Sequence, residues 1–253
     1  MGGFLIPVCV IGNHEVAVSG LMEMMMSELK LPGIVPWGRR LSEYQAFFDL
    51  PDLAGVRVLD VGGGPSSFRG EAAQTGAHAF ALDPLYHEDD ASIRDEFLRT
   101  RRVMQEGMAH VQHRFVWSHY GDERRVAELR TQALELFLAD RQKHPARYLP
   151  GALPMLPFAD QSFDLVTCSH LLFLYGDELD THFHIEAVQE LARVGREVRI
   201  FPLLNLDGRP SSHLFAVIDA LRQAGFCAQE VSVPFEFQRG ANHMLKITRG
   251  WSG

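Results

Sequence analysis

The stretch RVLDVGGGPSSF, residues 57–68, decides the fold class of this 253-residue chain. Arg57–Val61 is a short apolar run that is typical of a buried β-strand, and the glycines that follow it predict a tight turn. A helix is predicted next, from Ser67 to Thr75, and then a second buried strand from Ala77 to Leu82. A strand, a glycine-rich turn, a helix and a strand in this order predict the first half of a doubly wound α/β sheet.

The middle of the chain departs from a minimal α/β pattern. Ser92–His113 and Glu123–His144 have the apolar spacing of amphipathic helices, and they predict a helical insertion at about residues 86–146. The alternation of strands and helices resumes at Arg147. The last two predicted strands, Phe226–Phe235 and Asn242–Thr248, are joined by too short a connection to be parallel. The predicted fold class is therefore α/β, a Rossmann-like doubly wound sheet that is mostly parallel, with an antiparallel C-terminal hairpin and the helical insertion.

The composition limits the partners and the compartment. The net charge of −8 and the pI of about 5.8 disfavour nucleic acid and anionic membranes, although Ala91–Arg147 holds 11 basic against 8 acidic residues. Three scattered cysteines and the absence of a long apolar stretch predict a cytoplasmic protein without a membrane segment. We expect residues 1–50 to form an N-terminal leader and lid helices before a domain at residues 51–250. If residues 1–21 are only a loosely held leader, translation could begin at Met22, Met24, Met25 or Met26.

The turn at residues 62–64, here called the glycine turn, predicts a site for an adenosine cofactor. Ligands of open α/β sheets bind at the carboxyl ends of the strands, where this turn lies, and Asp83 follows Gly62 by 21 residues, at the spacing of a ribose-binding carboxylate. A dinucleotide pyrophosphate favours a further glycine where this chain has Ser67, and the Asp60 carboxylate would repel it. A cationic cofactor is therefore favoured. A plain structural turn is the alternative.

Three segments, in order, resemble class I S-adenosylmethionine-dependent methyltransferases. Val58–Ser66 resembles their first motif, Ala81–Pro84 resembles the acidic end of their second strand, and LPFADQSFDLV at residues 156–166 is similar to the entry into their fourth strand in the small-molecule branch, methyltransferase type 11. The chain further resembles a bacterial subgroup of these enzymes, through residues 62–68, 169–175 and 199–204. The resemblance covers about residues 56–250 apart from the insertion, and it implies S-adenosylmethionine as cofactor.

The resemblance implies roles for individual residues. The cofactor-binding set lies at the first turn, after the second strand and around the fourth strand: Asp60, Gly62, Gly63, Gly64, Ser66, Asp83, Pro84, Leu153 and Ser169. In that set Asp60 and the glycines hold the methionine end, Asp83 binds the ribose and Leu153 packs near the adenine. Ser66 replaces a third glycine of the motif, and Ala152 stands where the family often has an aspartate.

Further candidates lie outside the cofactor motifs. His170, after the fourth strand, is the candidate catalytic base for an acceptor that must lose a proton, although a structural histidine is the alternative. Arg39, Arg40 and Tyr44 precede the first strand at the place of a lid helix, where an arginine can bind the methionine carboxylate. The insertion is expected to shape the acceptor pocket, and its loop offers four candidates for substrate contact: His113, Trp117, His119 and Tyr120.

Other functions compete with methyl transfer. A cofactor-binding protein without transfer activity and an NAD(P)-dependent oxidoreductase are the alternatives. We predict no metal site, because His182 and His184, two residues apart on a predicted helix, point to different faces. An unidentified small-molecule acceptor is favoured, RNA is a minority possibility, and the sequence leaves the oligomeric state open.

Overall fold

A computed structural model describes residues 35–250. The predicted leader and the alternative start positions lie outside the described residues. Within residues 35–250 there is no helix whose length and apolar character would let it cross a membrane.

The described part of the chain alternates between helices and strands over most of its length. In chain order, the elements are α1 Leu41–Phe48, β1 Arg57–Val61, α2 Phe68–Gln74, β2 His78–Leu82, α3 Asp90–His110, α4 Glu123–Lys143, β3 Tyr148–Leu149, β4 Phe163–Ser169, α5 Thr181–Val194, β5 Gly195–Phe201, α6 Leu214–Gln223, β6 Phe226–Ser232 and β7 His243–Arg249.

The seven strands form one sheet in the order β3-β2-β1-β4-β5-β7-β6. The first five strands in this order are parallel, and β7 runs antiparallel to both of its neighbours, β5 and β6. The predicted fold class, with its antiparallel C-terminal hairpin, is confirmed. Because β1 lies between β2 and β4, the chain leaves β1 in one direction and returns to its other side, which opens a crevice at the carboxyl ends of β1 and β4.

Apolar layers cover both faces of the sheet. On one face, α5 and α6 bury residues such as Val188, Leu191 and Val217 against the strands. On the other face, α1 and α2 supply a dense aromatic group in which Tyr44 stacks on Phe68 with ring centroids 4.0 Å apart. This second layer brings α1 directly over the carboxyl-end crevice.

Some predicted helix boundaries shift because side chains cap the helices elsewhere. The helix predicted from Ser92 begins at Asp90, since the Asp89 carboxylate accepts a hydrogen bond from the Ser92 amide. Helix α5 begins at Thr181, because Asp180 caps it through the Phe183 amide at 2.8 Å. Both insertion helices are present.

Polar contacts fasten the insertion to the sheet domain. Arg69 of α2 pairs with Asp140 of α4, and Tyr148 of β3 donates a hydrogen bond to the same carboxylate at 2.6 Å. A side chain at Gly70 would lie 2.8 Å from the Asp140 carboxyl carbon, so the glycine allows α2 and α4 to approach closely. The insertion is therefore an integral wall of the domain.

A second polar cluster, formed by Glu43, Tyr120 and Arg130, joins the insertion to α1. Glu43 and Arg130 are each 2% exposed, and one guanidinium nitrogen, Nη1 of Arg130, lies 2.6 and 2.8 Å from the two carboxylate oxygens. Tyr120 donates a hydrogen bond to Glu43 and accepts one from Arg130 at 3.1 Å. The arginine charge lowers the pKa of Glu43 below its ordinary value, against the opposing effect of burial, so the pair is ionised.

Arg130→Met should destabilise the protein by about 3–5 kcal/mol, because it leaves the Glu43 carboxylate buried without its cationic partner. The measurement is the free energy of unfolding in urea. Arg125→Met is the matched control, since Arg125 lies on the same helix with an exposed side chain, and it should change stability by no more than about 0.5 kcal/mol. Equal, small effects of the two substitutions would contradict the assigned role of the pair.

Candidate active site

The glycine turn lies at the carboxyl end of β1, at the crevice of the sheet. Gly62 and Gly64 adopt positive φ angles of 70° and 54°, which side chains other than glycine rarely take. A side chain at Gly62 would also lie 2.6 Å from the Leu171 side chain. Glycine is therefore required at both positions.

Asp83 is bonded directly to this turn. One carboxylate oxygen accepts the Gly64 amide at 2.8 Å, and the other accepts the Leu85 amide at 2.8 Å. Asp83 is half-buried, and desolvation raises the pKa of its carboxyl group. The exposed Pro84 follows it, and Tyr86 donates a hydrogen bond to the Gly64 carbonyl at 2.8 Å. The predicted ribose carboxylate and the predicted turn thus meet in one place.

Asp60 lies beneath the turn. Its two oxygens accept hydrogen bonds from Tyr44 and Thr167, both at 2.9 Å, and the residue is 1% exposed. Burial, with a smaller contribution from the Asp83 charge, raises the pKa of Asp60 to about 7. A side chain at Gly63 would lie 2.6 Å from this carboxylate. Asp60 therefore supports the turn from below, and its predicted role at the methionine end stays a prediction.

The segment before α1, residues 35–40, lies over the turn. The Arg39 carbonyl accepts hydrogen bonds from the Ser66 hydroxyl at 2.6 Å and from the Ser67 amide at 3.1 Å. An added Cβ at Gly38 would lie 2.0 Å from the Pro65 carbonyl oxygen, so the two segments are in close backbone contact. The structure thus uses the Ser66 hydroxyl to hold this lid segment, whereas the sequence suggested that it reaches a cofactor.

The two arginines of the lid segment point in different directions. The Arg40 guanidinium pairs with Glu71 at 2.8 Å and bonds Gln132 at 3.4 Å, on the outer side of the insertion. This placement corrects the prediction that Arg40 binds the methionine carboxylate. Arg39 instead lines the inner cavity described below. Burial and the nearby Arg130 charge lower the pKa of Arg39 to about 10, which still leaves it charged at neutral pH.

Ser169 and His170 end β4 beside the turn. His170 has a positive φ of 54°, an uncommon conformation for a residue with a side chain, and such backbone strain is concentrated at functional sites. Its Nδ1 lies 2.8 Å from the Ser169 hydroxyl, and Phe47 and Phe201 pack edge-on against the ring at 5.3 and 5.4 Å. Burial and the charges of Arg39 and Arg130 hold the pKa of His170 well below its ordinary value. The imidazole is therefore neutral.

The connection between β3 and β4 contains the predicted adenine neighbour. Leu153 is buried in the core, and Ala152 forms an isolated backbone bridge with Met155. The Met155 side chain is 81% exposed. Because Ala152 replaces the aspartate that the resemblance would imply, the prediction for adenine recognition falls on backbone groups of this connection or on another side chain.

A cavity of about 510 Å³ lies next to His170. Its walls come from the lid segment, from α3 and α4, from the insertion loop and from the loop between β6 and β7. Of the four loop residues predicted to contact substrate, His113 lines this cavity. Trp117 packs behind the wall on Phe237, Tyr120 is bound to Glu43, and His119 packs against Phe235.

The comparison with protein families agrees with this architecture. Residues 107–198 match the family described as "Methyltransferase domain". The matched range contains strand β4 and helix α5. The match covers less than half of the chain, and it shows that these residues are similar to a methyltransferase domain. The more detailed resemblance to a bacterial subgroup stays a prediction.

The chain is similar to several known proteins at low sequence identity. An uncharacterised protein of Methanocaldococcus jannaschii is 29% identical over 226 residues, which are 88% of this chain and 100% of that protein. Magnesium protoporphyrin IX methyltransferase from Synechocystis, solved with bound S-adenosylmethionine, is 13% identical with a TM-score of 0.43, covering 83% of this chain and 76% of its own. A ribosomal protein methylase from Lactobacillus delbrueckii subsp. bulgaricus is 14% identical with a TM-score of 0.43, covering 83% and 77%.

The sequence did not indicate several residues of the site. Thr167 lies opposite Asp60 in the β1–β4 register, and a threonine in a buried strand is not a recognisable motif. The cavity is also lined by Arg114, Arg130 and Arg239. The basic excess of residues 91–147 was the only sequence feature that pointed to Arg114 and Arg130. Phe235 and Phe237, which also line the cavity, belong to the β6–β7 connection, whereas the sequence placed Phe235 at the end of the preceding strand.

The Asp60 carboxyl group should titrate near pH 7, because burial disfavours its charge. The ordinary pKa of this carboxyl group is 3.8. Between pH 3.8 and about pH 7 the folded protein therefore binds a proton at Asp60 that the unfolded chain has lost. The contribution of Asp60 to stability consequently falls as the pH rises through this range. Tyr44→Phe should raise the pKa further, since it removes a donor to the carboxylate. Carbon-13 NMR of labelled aspartate, assigned with Asp60→Asn, measures both effects. Titration of Asp60 near pH 4 would contradict the description of the site.

Proposed function

We propose that this protein transfers a methyl group from S-adenosylmethionine to a small-molecule acceptor. One observation carries the proposal: the glycine turn with its bonded Asp83 and the cavity both lie at the carboxyl-end crevice, where His170 directly follows β4. A nucleoside against the turn would direct its sulfonium toward the cavity. S-adenosylmethionine is the methyl donor, and the acceptor occupies the cavity.

The N-terminus of α2 disfavours a dinucleotide. A pyrophosphate binds at a helix N-terminus through free backbone N–H groups. Here the Ser67 amide is bonded to the Arg39 carbonyl at 3.1 Å, and the Phe68 amide is bonded to the Ser66 hydroxyl at 3.2 Å. The groups that an NAD pyrophosphate would need are already occupied, which argues against the oxidoreductase alternative.

The charge beneath the turn suits a cation. Asp60 is held near half-ionisation at neutral pH by its burial. A sulfonium and an ammonium group above the turn favour the ionised carboxylate, so cofactor binding and loss of the Asp60 proton are coupled. The remaining charge of the cofactor, its carboxylate, matches Arg39 at the lid end of the cavity.

Methyl transfer needs alignment more than acid–base chemistry. The acceptor atom attacks the methyl carbon, the carbon–sulfur bond breaks, and its electron pair returns to sulfur to give neutral S-adenosylhomocysteine. The walls of the cavity position the acceptor and exclude water. When the acceptor is a hydroxyl or a protonated nitrogen, His170 is the group that takes its proton, since it is neutral and lines the cavity.

The size and lining of the cavity support a small acceptor. Its volume of about 510 Å³ lies within the range of roughly 300–1,000 Å³ that is common for small-molecule sites. Aromatic and aliphatic side chains make up most of its walls, including Trp37, Phe115 and Met108. RNA would require an open basic surface, and the net charge of −8 disfavours it.

Asp83→Ala should weaken binding of S-adenosylmethionine and S-adenosylhomocysteine by roughly 1–3 kcal/mol, because the ribose hydroxyls lose their acceptor. Isothermal titration calorimetry with these two ligands and with NAD measures the effect. Asp95→Ala is the matched control, since it removes an exposed carboxylate on α3, and it should leave affinity unchanged.

Binding of NAD in preference to S-adenosylmethionine by the unaltered protein would contradict the proposed function. An unchanged affinity in Asp83→Ala would remove Asp83 from the ribose role. Tight cofactor binding with no methyl transfer across a panel of small acceptors would instead favour a binding protein without transfer activity.

A further inference from the structure

The cavity is basic, although the protein as a whole is acidic. Arg39, Arg114 and Arg239 line it together with one carboxylate, Asp207, in a chain whose net charge is −8. The fourth arginine of the lining, Arg130, is neutralised by Glu43. Arg39 belongs to the lid segment, so Arg114 and Arg239 are the cations that the cofactor does not account for.

Arg114 has an unused hydrogen-bond donor. Its Nη1 atom is buried and has no hydrogen-bond partner among residues 35–250. The nearest carboxylate oxygen, Oδ1 of Asp207, lies 3.8 Å away, which is too far for a hydrogen bond. A buried guanidinium N–H without an acceptor is costly, and native structures rarely keep one without a reason. An anionic ligand group in the cavity would supply the acceptor.

Two loops hold Arg114 and Arg239 side by side. The Arg239 amide donates to the Arg114 carbonyl at 2.9 Å, and the Val116 amide donates to the Phe237 carbonyl at 2.7 Å. The Arg239 side chain is itself fixed by a hydrogen bond from Nε to the His113 carbonyl at 3.1 Å. Such prior fixation of the donors reduces the entropy that is lost when a ligand binds.

Apolar side chains complete this end of the cavity. Phe115 and Phe237 stack with ring centroids 4.7 Å apart, and Met104 and Met108 of α3 line the same space. Methionine adapts to irregular ligands, and aromatic faces accept flat ones. Asp207 lies in the β5–α6 loop, and Glu236, in the β6–β7 loop, accepts a hydrogen bond from the Gly240 amide at 2.8 Å.

We propose that the methyl acceptor is a small apolar carboxylate, whose ring or chain lies among Phe115, Phe237 and the methionines and whose carboxylate binds Arg114 and Arg239. This inference rests on the proposed function and specifies its substrate class. The carboxylate anchors one end of the acceptor in the two loops, and the acceptor atom then faces His170. Arg114 is a specificity-determining residue that distinguishes a charged acceptor from a neutral one.

The test compares 2-naphthoate with its neutral counterpart 2-naphthamide, binding to the full-length protein saturated with S-adenosylhomocysteine, by calorimetry. We expect 2-naphthoate to bind at least about tenfold more tightly, the scale of a charge-assisted hydrogen bond. Arg114→Gln should remove most of this preference and leave S-adenosylhomocysteine affinity unchanged. Arg102→Gln, which removes an arginine that is 83% exposed on α3, is the matched control and should keep the preference.

The outcomes separate this inference from the proposed function. Equal affinity for the two probes, no binding of either at millimolar concentration, or equal effects of Arg114→Gln and Arg102→Gln would overturn the inference while cofactor binding stands. Failure to bind S-adenosylhomocysteine would overturn the proposed function itself. If Arg114→Gln does not fold, as judged by circular dichroism, Arg239→Gln supplies the same comparison from the partner loop.

Discussion

The buried ion pair between Glu43 and Arg130 joins helix α1 to the helical insertion, and the site depends on the position of both. Glu43 belongs to α1, directly after the lid segment, and Arg130 belongs to the insertion helix α4. Through this pair the lid segment is held over the glycine turn and the insertion is held beside His170. A buried pair of this kind contributes little net stability compared with apolar packing, but it allows only one arrangement of the groups around it. We infer that its role is to fix the geometry of the site.

The cofactor and acceptor regions differ in their electrostatics. Beneath the turn, Asp60 and Asp83 form a negative environment in which burial keeps Asp60 poised between its charged and neutral forms. In the cavity, arginines dominate, and burial together with the charges of Arg39 and Arg130 lowers the pKa of His170, which keeps it neutral. A cationic sulfonium is therefore favoured at the turn, and anionic groups are favoured in the cavity. In the proposed function, the cationic sulfonium of S-adenosylmethionine at the turn lies next to an anionic acceptor in the cavity.

The sequence predicted the sheet well because its strands are short, strongly apolar and separated by clear turn residues. The glycine turn, Asp83 and His170 were predicted because each follows a buried strand in a sheet whose parallel strands end at one edge. Arg40 was misplaced because Arg39 and Arg40 are adjacent in sequence, and only the contacts of Glu71 and Gln132 decide which one turns outward.

The partners of Ser66 and the positions of the cavity arginines could not be predicted from the sequence either. The Ser66 hydroxyl has the chemistry of a cofactor contact, but the Arg39 carbonyl, which no motif marks, is its partner in the structure. Arg114 and Arg239 lie 125 positions apart and meet only because two loops pair through backbone hydrogen bonds. Long-range pairings between irregular segments leave no periodic signal in the sequence, so this end of the site required the structure.

A crystal structure with S-adenosylhomocysteine would show whether the glycine turn holds the nucleoside and leaves the cavity for the acceptor. We expect the ribose hydroxyls within hydrogen-bond distance of the Asp83 carboxylate, and the sulfur facing the cavity beside His170. A nucleoside bound away from the turn, or one that fills the space between Phe115 and Phe237, would contradict this expectation.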